Sequence, residues 1–318
     1  MTRRDALRTV AQAITSAAAP LQAALPANKN IKWALSLNLW NHFPPVRFTD
    51  VLDVMRDTGF LGIRVTQYPA FLNTYHITPA ELEREVARRG LFIATISFNG
   101  PVWDESQHAQ CVADARAAMR FLQGFGANRL VVFSPARTDQ TLTPQAWRNM
   151  IQGFQRIGEA AREMGFRCGL HNHLDQMCES EAEVSRCLDE TDPERFGFCP
   201  DTAHLHLAGA DVVRMLEKYK HRIVLLDYKD AKWTAPTADF QQGNGRIYPK
   251  DSPQARFFNS IYDLGDGEID FPACHRILKS VQYQGWNCVD LDTARQGPRR
   301  SYERCGRYIV QQLEPIYV

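Results

Sequence analysis

Four short stretches of this chain end in residues that hold metals or move protons: CGLHNH (168–173), FCPDTAHLHLAGAD (198–211), RIVLLDYKD (222–230) and GWNCVDLD (285–292). In each, an apolar run stops abruptly at an acid, a histidine or a lysine. His171, Asp201, Asp227 and Asp290 stand at the stops. One imidazole and three carboxylates on neighbouring strand ends would make an oxygen-rich site for Mn²⁺ or Mg²⁺, with Zn²⁺ or Co²⁺ also compatible. His173 and His204 follow two and three residues later and can reach the same space as proton carriers. Lys229 shares a strand face with Asp227, so it can point at a substrate oxygen, while Asp230 points away. Glu179 lies just ahead of a helix start; it is a further candidate base, although a carboxylate there also suits the helix N-terminus. His206 and His221 have no such company and read as structural.

Such residues need a frame that brings distant strand ends to one rim. Apolar runs of four to six residues bounded by turn signals are what buried parallel strands look like. They recur at 33–37, 62–66, 91–98, 129–133, 167–171, 196–200, 223–227 and 287–291, each followed by a helical pattern. Helix starts are marked by Thr78-Pro79, Thr143-Pro144, the capping box Ser180 to Glu183, Asp211 and Asp270 to Pro272. Eight strand-then-helix units in order predict an α/β protein of the closed (β/α)₈ (TIM) barrel type, in which chemistry sits on the loops after the strands. A dinucleotide-binding open sheet would show GxGxxG after the first strand, and none is present. Trp40, Tyr68, Asn99 and Trp103 follow the first three strands and Arg295 follows the eighth; as a rim they would suit a sugar face. The long connection from Ala231 to Gly267 is a candidate lid.

The bulk numbers narrow the function. With 318 residues, 44% hydrophobic and 23% charged, this is an ordinary globular composition. A net charge of +1 argues against a nucleic-acid binder. No apolar run approaches the ~20 residues needed to cross a membrane. The eight cysteines contain no CxxC pair, and Cys168, Cys199 and Cys288 fall inside predicted strands, where reduced thiols pack well. Residues 1–28 carry Arg3-Arg4 and then an alanine-rich stretch, the pattern of a twin-arginine export signal. The expectation is therefore a single barrel over 29–318 and a periplasmic location; an N-terminal structural helix would instead leave the protein cytoplasmic.

The motifs HNH, DTAHLHLAGAD, YKD, LGDGEIDFP and GW..VDLD resemble the xylose-isomerase-like barrel superfamily, in its inosose-dehydratase and sugar isomerase–epimerase branch. The likeness is detailed between His171 and Asp292 and only architectural before Gly165. It implies a divalent metal held after strands five to eight, at the positions of His171, Asp201, Asp227 and Asp290. Only Asp201 has the type usual there, because the family has Glu, His and Glu at the other three. The resemblance further implies proton removal beside a carbonyl of a sugar or cyclitol. The expected partner is a small carbohydrate, with neither nucleic acid nor membrane, and a homo-oligomer is compatible. An unphosphorylated keto-sugar, an inosose or a 3-keto-glycoside undergoing dehydration or lyase cleavage fits best. Isomerisation or epimerisation is the alternative, as is a sugar-binding barrel that has lost the metal.

Overall fold

The computed structural model describes residues 30–317; the expected export segment lies outside them. Eight strands run parallel: β1 Ile31–Ser36, β2 Gly62–Thr66, β3 Phe92–Phe98, β4 Arg129–Phe133, β5 Arg167–His171, β6 Gly197–Phe198, β7 Leu226–Tyr228 and β8 Gly285–Val289. Their order in the sheet is β6-β5-β4-β3-β2-β1-β8-β7, so β1 pairs with β8 and each of β1 to β5 with its successor. Parallel bridges Phe198↔Ile223 and Asp201↔Asp227 join β6 to β7 and complete the barrel.

β6 and β7 are shorter than the apolar runs at 196–200 and 223–227 predict. The physical reason is Pro200, which has no N–H to give the ladder; its carbonyl still accepts from Asp227 N at 2.9 Å. β8 likewise ends at Val289 and leaves Asp290 just beyond it, its N–H bonded to the Tyr228 carbonyl at 3.0 Å.

The helices begin where cap chemistry places them. Thr78 and Ser180 form full capping boxes with Glu81 and Glu183. Thr143, Asp211 and Asp270 each accept the N–H three residues on. Strand alternation divides the apolar residues in two. Trp33, Leu35, Ile63, Val65, Ile93 and Leu170 face the helices as part of the outer core. Ala34, Ala94, Val131, Cys199, Leu225, Trp286 and Cys288 fill the lumen. All eight cysteines are buried free thiols. No helix among the described residues is long and apolar enough to cross a membrane.

The connection after β7 is not an irregular loop. It holds a short pairing of Asp230–Ala231 with Ile261–Tyr262, a hairpin of Phe240–Gln241 with Ile247–Tyr248, and a helix Pro253–Ser260. The hairpin is docked on the β1 loop: Gln242 meets His42 at 2.7 Å, and Asn244 N donates to the His42 carbonyl at 3.0 Å. It is packed structure at the rim.

Candidate active site

Above the apolar filling, the lumen turns polar. Inward positions at the strand ends bring Ser36, Arg64, Ser97, His171, Asp201, Asp227 and Asp290 into one layer, all buried. A cavity of about 220 Å³ opens above it, its wall including Asn38, Gln67, Asn99, His173, Lys229 and Asp292. The four strand-end residues His171, Asp201, Asp227 and Asp290 therefore do converge.

What fills the space between them is cationic. The Lys229 ammonium lies 3.1 Å from Asp201 Oδ2, 2.7 Å from Asp290 Oδ2 and 2.6 Å from Asp292 Oδ2. Asn38 Nδ2 donates to the other Asp292 oxygen at 2.6 Å. The Arg64 guanidinium, from β2, places Nη2 2.9 Å from Asp290 Oδ1 and Nε 3.4 Å from Asp227 Oδ1. Its two terminal nitrogens also donate to Ser36 Oγ at 3.1 Å and Ser97 Oγ at 3.2 Å, which fixes the fork between β1 and β3. Burial opposes both charges, but the surrounding carboxylates outweigh it and hold Arg64 and Lys229 well above their ordinary pKa values. Burial raises Asp201 and Asp227, against the pull of Lys229 and His171 on the first and of Arg64 and Lys229 on the second. Asp290, between both cations, is driven strongly down despite its burial.

The histidines form one wall. His171 Nδ1 lies 3.1 Å from Asp227 Oδ2, and burial, then Arg64, depress its pKa to about 3. His173 Nδ1 sits 2.6 Å from the Leu174 carbonyl, which only accepts, so the proton is on Nδ1 and Nε2 carries the lone pair. Burial, then Lys229, hold His173 at about 4, so it is neutral near pH 7. His204 packs against His173, with Leu174 N at 3.4 Å from Nδ1 and Lys229 Nζ at 3.3 Å from Nε2; a neutral ring has one lone-pair nitrogen and accepts from only one of these donors. It lies behind the cavity wall.

Other expected residues lie elsewhere. Glu179 accepts from Asp175 N at 2.8 Å and faces Arg137 at 3.9 Å, away from the cavity. Trp40 and Trp103 belong to the outer core or pack against it, and Tyr68 packs on Phe121 with centroids 4.7 Å apart. Arg295 donates to the Asn259 carbonyl at 2.9 Å and lines a neighbouring groove that shares Asp292. Of the rim set only Asn99 lines the cavity. Arg64 is the site residue that the sequence motifs pass over; Asn38 and Asp292 stand at expected strand ends, where the motifs alone give them no role.

A model of the xylose isomerase-like TIM barrel family matches residues 52–305. The chain belongs to this family. An inosose dehydratase from Lacticaseibacillus casei is 26% identical over 279 residues, which cover 83% of this chain and 89% of that protein. Among solved structures, the 3-keto-D-glucoside 4-epimerase of E. coli superposes with a TM-score of 0.64 at 15% identity, covering 88% of this chain and 98% of that one. The IolI protein, solved with a bound zinc atom, superposes at 0.62 and 14% identity, covering 90% and 96%. The chain is an enzyme of the kind that its dehydratase relatives in this family represent.

Zinc in a relative raises the question of whether the present residues suit a metal, and in this conformation they do not. Asp201 Oδ2, Asp227 Oδ1, Asp227 Oδ2 and Asp290 Oδ1 make no aligned hydrogen bond, yet each has a nitrogen of Lys229, Arg64 or His171 within 3.4 Å. Among the described residues, no group of three or more His, Cys, Asp or Glu is arranged to hold a metal ion.

Proposed function

We propose that this enzyme is a carbohydrate lyase that removes a proton beside the carbonyl of a keto-sugar and expels the oxygen substituent one carbon further on. One observation carries the reading: the cavity wall holds both a neutral imidazole with its Nδ1 committed to Leu174 and the buried ammonium of Lys229. His173 Nε2 takes the proton; the C–H electrons form the enolate C=C, and charge gathers on the former carbonyl oxygen. The fixed positive charge of Lys229 and Arg64 stabilises that oxyanion. When the enolate collapses, the C–O bond breaks and the departing oxygen takes the proton back from His173. An unsaturated ketone and water or an alcohol result, with no redox change.

The histidine wall favours elimination over two-base epimerisation. His173 and His204 are side by side with centroids 3.6 Å apart, whereas two-base inversion needs groups on opposite faces of the carbon. An inosose or a 3-keto-glycoside is the substrate supported by the inosose dehydratase relative and the keto-glucoside epimerase neighbour. Twin-arginine export, suggested by Arg3-Arg4, would favour the glycoside.

Incubation in D₂O with inososes and 3-keto-glycosides, followed by NMR, tests this. Appearance of an enone with release of water or aglycone is expected. Deuterium uptake with inversion and no elimination would establish an epimerase instead. Saturable sugar binding with no exchange across the panel would mean a binding barrel.

A further inference from the structure

We propose that this chain has replaced the divalent cation of its metal-binding relatives with two of its own side chains, Lys229 and Arg64. An ammonium has three protons to donate, and Lys229 meets three different carboxylates at 2.6–3.1 Å. These are hydrogen-bond distances, longer than the roughly 2.0–2.6 Å at which a metal would hold the same oxygens. Ion and ammonium therefore compete for one place. Arg64 closes the other side: it takes the Asp290 oxygen that Lys229 leaves, so both oxygens of that carboxylate face cations.

The guanidinium is built in rather than swung in. Ser36 and Ser97, on the strands either side of β2, each receive one of its terminal nitrogens, and Arg64 is fully buried among them. An unpaired guanidinium at that depth would be heavily disfavoured, so a metal drawing Asp227 and Asp290 away would leave a cation without its acids. Residue type agrees with this. Asp290 is one methylene shorter than the glutamate the family resemblance implies, which leaves room for the Arg64 fork beside it. Asp227 stands where that resemblance implies a histidine, and a carboxylate suits a guanidinium neighbour where an imidazole would not.

The inference does not depend on the substrate, because its readout is metal content. The purified full chain is dialysed against excess Mn²⁺ and Zn²⁺, desalted, and measured by inductively coupled plasma mass spectrometry. A metal content far below one ion per chain is expected, as is a melting temperature unmoved by EDTA. One ion per chain that disappears in both Asp201→Asn and Asp290→Asn would overturn the proposal; an ion that survives both substitutions binds elsewhere and leaves it standing. Lys229→Met provides the converse measurement. With the ammonium gone, the acids should accept Mn²⁺ or Zn²⁺ at least about tenfold more tightly than in the parent chain, read by calorimetry. A folded Lys229→Met protein with no gain in metal affinity would count against the replacement; if that variant does not fold, the parent's metal content decides alone.

Discussion

His173 and His204 lie ring against ring, with centroids 3.6 Å apart and planes 34° apart, yet only His173 reaches the cavity. The two imidazoles thus have different work. His173 presents a lone-pair nitrogen to the cavity, whereas His204 is packed between Leu174 N and the Lys229 ammonium, at 3.4 and 3.3 Å, and stacks on Phe257, with centroids 5.5 Å apart.

From that difference, His173→Asn should lower kcat by roughly 10²–10⁴, the usual worth of a general base, and abolish deuterium exchange at the carbon beside the carbonyl. His204→Asn should retain exchange, with turnover reduced by only about tenfold because a positioning contact is lost. Equal loss of exchange in both variants would contradict the division of labour. Retention of full exchange in His173→Asn would remove it as the base.

Much of this arrangement is legible in the sequence. The eight alternations and the caps at Thr78, Thr143, Ser180, Asp211 and Asp270 are local signals, governed by hydrogen bonds within a few residues. Convergence of His171, Asp201, Asp227 and Asp290 followed once the strands were ordered. Arg64 carried a signal that motif comparison does not weigh. It is a lone charge inside GIRVT, between Ile63 and Val65, which both face the outer core. Alternation turns such a residue into the lumen, where it must find acids. Trp40, Tyr68, Trp103 and Arg295 are another matter. They sit in loops, and whether a loop side chain faces the mouth or the core depends on packing that no local spacing encodes.

Asp230, which was expected to point away from the site, does so and organises the turn before the next helix. Its buried carboxylate accepts from Ala231 N at 2.9 Å, Gly265 N at 2.8 Å, Gly267 N at 2.9 Å and Ile269 N at 3.3 Å. Asp230→Asn turns one acceptor into a donor facing those N–H groups and should cost about 2–4 kcal/mol. Gly267→Ala should also destabilise, because a Cβ there would lie 2.2 Å from Asp230 Oδ1 and 2.7 Å from Ala231 N. A few kcal/mol in a chain of this size corresponds to a melting temperature lower by roughly 5–10 °C. Unchanged melting in both variants would show that the turn does not depend on this carboxylate.

Acid sensitivity offers a test far from the cavity. His275, on the helix Phe271–Ser280, is buried against Trp33, stacked with centroids 5.8 Å apart and planes 13° apart, and its Nδ1 lies 3.4 Å from the Tyr228 hydroxyl. Burial pushes its pKa down to about 3, whereas in the unfolded chain it titrates near ~6.5. Between these values the unfolded chain binds the extra proton. Stability is therefore undiminished above about pH 6.5 and falls as pH drops towards 3, by up to about 1.4 kcal/mol per unit for this residue. His171 and His173, lowered to about 3 and about 4, act in the same direction. His275→Phe keeps the aromatic packing and removes the proton, so it should make unfolding free energy fall less steeply from pH 6 to 4 than in the parent chain. Urea denaturation at pH 7, 6, 5 and 4 measures this, and an unchanged slope would mean that His275 takes up its proton in the folded barrel.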